Sequence, residues 1–124
     1  ESKDELLNDV YYYGISWGGM LGPLFLANEK RISRAVWQVA GLGAREMRPE
    51  ANPLTYLSRI SQPVLMLNGI YDQYFPYETS QKPMYDLLSV KEPMKKMITY
   101  ESAHSPPKSR TSKEILKWFS DLSN

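Results

Sequence analysis

The sequence predicts an α/β fold, a single parallel sheet of about four strands with helices on both faces. Three observations predict it. Short β-branched or aromatic runs, closed by glycine or a polar turn, alternate with segments whose apolar residues recur at helical spacing. One run, PVLMLNG from Pro63 to Gly69, is apolar almost throughout, as a strand covered on both faces must be. Strands that alternate with helices pair in parallel through right-handed crossovers. With 124 residues, the chain suffices for one domain with a real core and is too short for two ordinary ones.

Taken in order, Ser2 with Glu5 has the form of a capping box, so the start reads as a short helix. VYYYG, from Val10 to Gly14, is the first strand. From Trp17 to about Lys30, the residues Met20, Leu21, Leu24, Phe25 and Ala27 mark a helix, with Pro23 an awkward guest that needs a distorted first turn. RAVWQVAGL, from Arg34 to Leu42, is the second strand. A polar loop with two prolines leads to a short helix over PLTYLSRI, where Pro53 suits the first turn. PVLMLNG follows as the third strand, then a segment from Tyr77 to Val90 that reads as helical in its second half. KKMITYE, from Lys95 to Glu101, is the fourth strand. The chain closes on an amphipathic helix from Ser112, with Ile115, Leu116, Trp118, Phe119 and Leu122 as its buried side.

Composition narrows the function. Fifteen basic and 14 acidic residues leave a formal charge of +1, which gives no electrostatic case for nucleic acid or an anionic membrane. No apolar run approaches the roughly 20 residues that span a bilayer, and no signal-peptide pattern opens the sequence. These absences set the expectation of a cytoplasmic protein. One histidine and no cysteine make a poor metal-ligand set, so no metal or cofactor is expected.

The chemistry gathers at Gly14-Ile15-Ser16-Trp17-Gly18, a G-x-S-x-G motif placed between a predicted strand and a predicted helix. In a nucleophile elbow, the sharp turn lifts the serine hydroxyl above the sheet, and glycines two residues before and after it avoid collisions. The helix start adds unpaired N–H groups for a developing oxyanion, which gives Trp17 N–H and Gly18 that role. A glycine-rich turn with an exposed serine is the plain structural alternative. The spacing also loosely matches the dinucleotide fingerprint G-x-G-x-x-G, but Ser16 stands where the middle glycine must let pyrophosphate approach. No acidic residue closes the second strand either.

A serine nucleophile needs a base, and the base an orienting acid. His104 is the one histidine, in a loop after the fourth strand. Its imidazole would take the serine proton and return it to the leaving group. Asp72 follows the third strand, so it projects from the same edge of the sheet and would hold the other imidazole nitrogen. Tyr71, Tyr74, Phe75 and Trp17 are candidates to line a substrate pocket, although aromatic residues at strand ends are more often core. Glu78 and Asp86 read as solvated helix residues, and Asp9 lies at the wrong edge.

The order Ser16, Asp72, His104, each after a strand, resembles the α/β-hydrolase family. VYYYGISWGG resembles its elbow, PVLMLNGIYDQYFP its acid loop and YESAHSPP its histidine loop. The wording is similar to dienelactone-hydrolase and prolyl-peptidase-like serine hydrolases. The resemblance covers nearly the whole chain but only the C-terminal half of the family fold, so it implies a minimal domain over residues 1–124 without the earlier strands. It implies a carboxylesterase-type serine hydrolase that acts on short-chain esters through Ser16, His104 and Asp72. The family's glycine-rich loop for a second oxyanion donor has no equivalent before Ser16, a loss that typically costs about 100- to 1,000-fold in rate. The first strand would be an open edge, and two copies joined there would form a homodimer with one continuous sheet. The competing expectation is an inactive hydrolase fragment serving as an interaction or oligomerisation domain. A peptidase would use the same residues.

Overall fold

The computed structural model describes residues 10–43 and 47–120. The helix expected from Ser2 and Glu5, and Leu122 of the closing helix, lie outside the described residues. Four strands, β1 (Val10–Ile15), β2 (Ile32–Gln38), β3 (Val64–Gly69) and β4 (Lys95–Tyr100), form one sheet in the order β1-β2-β3-β4. All three neighbouring pairs are parallel. The crossover from β1 to β2 carries α1 (Trp17–Met20) and α2 (Gly22–Asn28). α3 (Pro53–Tyr56) and a 3-10 turn (Leu57–Arg59) lie between β2 and β3. A π-helical turn (Tyr77–Gln81) and α4 (Lys82–Leu87) lie between β3 and β4, and α5 (Lys108–Ser120) follows β4.

Strand alternation divides the core into two layers. Ala35 and Trp37 of β2, with Val64 and Met66 of β3, face Leu26 of α2, Leu57 of the 3-10 turn and Met84 of α4. Val36, Leu65 and Leu67 face the other way, against Ile115, Trp118 and Phe119 of α5. β3 is buried along its whole length, as its unbroken apolar run requires. Each large side chain buried here contributes roughly 1.5–3 kcal/mol of transfer free energy. On β1, Tyr12 stacks on Phe25 and Tyr11 on Phe119, with ring centroids 5.5 and 4.8 Å apart, so the strand is clasped from both faces.

Several elements depart from the sequence expectation. The helix after Ser16 is not continuous: it stops at Met20 and restarts at Gly22, with Pro23 in the first turn of α2, where a missing N–H costs no helical bond. β2 begins at Ile32 and ends at Gln38, short of the expected Leu42. The next residue, Val39, has φ 48°, a left-handed conformation that a β-branched residue adopts only under constraint. Its N–H bonds the Leu67 carbonyl at 2.8 Å, so Val39 and Ala40 are buried as packed turn rather than strand. α5 starts one turn early, at Lys108, and Leu116 is 70% exposed rather than buried. Ile115, Trp118 and Phe119 already occupy the i, i+3, i+4 stripe, which leaves Leu116 about 100° round the helix from the core.

Candidate active site

Ser16 occupies the corner between β1 and α1, with φ 56° and ψ −110°. That backbone is costly for any residue with a Cβ, and neighbouring contacts hold it there. The Ser16 N–H donates to the Gln38 carbonyl at 2.8 Å, and the Met20 N–H to the Ser16 carbonyl at 2.8 Å. Close approach makes Gly14 necessary, since a Cβ there would lie 2.4 Å from the Gly18 carbonyl oxygen. A Cβ on Gly19 would come within 2.6 Å of Ala40, whereas one on Gly18 would meet its nearest described neighbour at 4.0 Å. The collision expected at Gly18 therefore falls one residue later. The Tyr12 hydroxyl donates to the Gly18 carbonyl and pins the start of α1 to the strand beneath it.

The three residues read from the sequence come together. Ser16 Oγ lies 3.0 Å from His104 Nε2, and His104 Nδ1 lies 2.6 Å from Asp72 Oδ2. A carboxylate offers only acceptors, so the proton on the Asp72 side belongs to Nδ1, and Nε2 is left to accept from the serine hydroxyl. The Asp72 side chain is fully buried, and its second oxygen accepts from the Tyr74 N–H at 2.8 Å and the Phe75 N–H at 3.0 Å. The loop bearing His104 runs against the end of β3, where Tyr71 N–H bonds the Ser102 carbonyl at 3.0 Å. Gly69 permits that contact, because a Cβ there would sit 1.8 Å from the Ala103 carbonyl oxygen.

The remaining candidates divide by burial. Phe75 is buried and faces the His104 ring at 6.1 Å, while Tyr74 lies 4.8 Å from the same ring and is mostly exposed. Trp17 and Tyr71 are also mostly exposed, and Gly18 is half-buried. Trp17 and Gly18 open α1, where helix geometry gives their N–H groups no carbonyl four residues back. A cleft of about 630 Å³ lies elsewhere, lined by Tyr77, Tyr85, Glu92 and Lys95, and includes none of the three aligned residues. Two supporting residues gave no sequence signal: Tyr12, read only as strand, and Gln81, read only as part of a helical segment. Each acts through a contact between distant parts of the chain.

No family model matches the chain, and no curated protein matches it. Solved structures do. One is a protein of Klebsiella pneumoniae subsp. pneumoniae described as a dienelactone hydrolase, with a TM-score of 0.71 at 23% identity, over 86% of this chain and 50% of that one. A cold-adapted esterase from an Arctic intertidal metagenomic library matches with a TM-score of 0.67 at 19% identity, over 87% of this chain and 48% of that one. Dipeptidyl peptidase 4 of Porphyromonas gingivalis gives a TM-score of 0.76 at 13% identity, over 93% of this chain and 20% of that one. The chain thus spans about half the length of the first two. Its four parallel strands, flanking helices and these likenesses give the described residues the fold of about half of an α/β-hydrolase.

Proposed function

We propose that the protein is a serine hydrolase of short-chain carboxylic esters, with Ser16 as nucleophile, His104 as general base and Asp72 as the orienting acid. The observation that carries this reading is the unbroken line of contacts from Ser16 Oγ through His104 to Asp72, across the ends of three strands. Ser16 Oγ attacks the ester carbonyl as its proton passes to His104 Nε2, and Asp72 steadies the imidazolium. The Trp17 N–H donates to the oxyanion. As the C–O bond breaks, the Nε2 proton moves to the leaving alcohol, and the acyl group stays on Ser16. Water then gives a proton to His104 and attacks the acyl carbonyl. The carboxylic acid departs and the proton returns to Ser16. Hydrolase names among the structural neighbours support the reaction class. The Tyr74 ring, 4.8 Å from that of His104 and mostly exposed, offers an apolar surface against which a short acyl group can rest.

A second reading, an inactive fragment that serves as an interaction domain, is favoured by the outer edge of β1, which no described strand pairs and where Val10, Tyr11, Tyr13 and Ile15 are exposed. Pre-steady-state hydrolysis of p-nitrophenyl esters of increasing chain length separates the two. The esterase reading expects a burst of one acyl group per chain, fastest for short esters, with its rate lowered at least ~100-fold in His104→Ala. Absence of burst and turnover in the folded protein would favour the interaction domain.

A further inference from the structure

Gln81 ends the π-helical turn and is fully buried. A π turn holds one more residue than an α turn, and here the Gln81 N–H reaches the Pro76 carbonyl, five residues back, at 3.1 Å. The side-chain amide Nε2 donates to two carbonyls, Gly69 at 2.7 Å and Phe75 at 2.8 Å. Those residues bracket the loop that carries Asp72. Reversing the amide would set its oxygen against both carbonyls, so this orientation is fixed by the partners. Phe75 in turn gives its N–H to Asp72 Oδ1 and presents its ring to His104. One hydrogen-bonded path therefore runs from Gln81 through Phe75 and Asp72 to His104 and Ser16.

We propose that Gln81 is a positioning residue. By tying both ends of the Gly69–Phe75 loop, it holds the Asp72 carboxylate against Nδ1 and thereby fixes the imidazole tautomer that leaves Nε2 free for the serine proton. Its consequence for rate rests on the ester-hydrolase reading; its effect on the imidazole does not. The molecule carries its own comparison. Gln62 is also buried, and its Nε2 donates to the Leu26 carbonyl at 2.8 Å and the Glu29 carbonyl at 3.5 Å, but it ties the end of α2 rather than the acid loop. Loss of either amide removes the same kind of buried contact.

His104 is the chain's one histidine, so imidazole nitrogen resonances report it without ambiguity. Long-range proton–nitrogen spectra of the neutral imidazole would be compared for the wild type, Gln81→Met and Gln62→Met, together with ester kinetics. The wild type and Gln62→Met are expected to show one tautomer, with the proton on Nδ1. Gln81→Met is expected to show a mixture, with kcat lowered about tenfold or more at unchanged KM. A single Nδ1 tautomer retained in Gln81→Met would overturn the proposal, as would its equal loss in Gln62→Met. Should Gln81→Met fail to fold, Gln81→Asn is read by the same criteria, since its amide is one methylene shorter and cannot reach both carbonyls. A tautomer change specific to Gln81→Met, with no ester turnover even in the wild type, would uphold the positioning role and sink the esterase reading.

Discussion

Ser16 is held at φ 56° by hydrogen bonds to Gln38 and Met20 and by the close passage of Gly14 beneath Gly18. That passage makes the two glycines of the motif unequal. Gly14→Ala drives a Cβ to 2.4 Å from backbone oxygen, which only a shift of the elbow can relieve. We expect a loss of about 2–4 kcal/mol in a urea titration, with loss of Ser16 reactivity. Gly18→Ala makes only an ordinary contact, 4.0 Å from the Tyr12 hydroxyl, and a helix gains about 0.5–1 kcal/mol from that exchange, so no destabilisation is expected. Equal sensitivity at the two positions would contradict this account of the turn. Ser16, Asp72 and His104 were legible in the sequence because each follows a strand and each has a side chain suited to one role. Motif spacing does not reveal that Gly18 escapes the collision that Gly19 meets, because steric need depends on where the neighbouring backbone runs. Gln81 was invisible for a related reason, since its two partners lie 6 and 12 residues away and meet it only after the acid loop folds back.

At the scale of elements, strands were the legible part because apolar alternation and the buried run of β3 survive in any context. Interruptions were harder to read. Pro23 warned of the break between α1 and α2, but the remedy, a new helix begun at Gly22, required packing to decide it. Nothing in Val39 or Ala40 distinguishes a strand from a buried turn, since both demand apolar residues. The elements also carry a pH response. Partial burial raises the phenols of Tyr12 and, although its side chain is half exposed, Tyr13 on β1, and likewise Tyr85 on α4 and Tyr100 at the end of β4, above the ordinary value of 10.0, and Glu92 adds to the effect at Tyr85. The folded chain thus keeps these protons to higher pH than the unfolded chain does. Their contribution is fully present below about pH 10 and is lost as pH rises through the folded values. Thermal midpoints measured from about pH 8 to about pH 11 should fall steeply past pH 10, together with phenolate absorbance. A flat profile would mean that the four phenols are solvated.

For the whole molecule, sequential parallel order was legible from alternation alone, and the split of the core into two layers followed from it. What covers the outer edge of β1 was not. Its six residues include no charge, and Val10, Tyr11, Tyr13 and Ile15 are exposed, whereas the opposite edge strand β4 opens with Lys95 and Lys96. Charged side chains are a usual guard against edge pairing, and on that contrast we propose that β1 pairs with a second copy of the chain. Sedimentation should show a dimer that Tyr13→Lys together with Ile15→Lys converts to a folded monomer. A wild-type monomer at every concentration would remove that proposal. No described helix is long and apolar enough to cross a membrane.

The central claim is that Ser16 is an activated nucleophile, and covalent labelling tests it most directly. Intact mass after treatment with a fluorophosphonate should show one adduct, mapped to Ser16 and absent from Ser16→Ala. A folded wild-type protein that stays unlabelled would contradict the account and leave the aligned Ser16, His104 and Asp72 without a reaction.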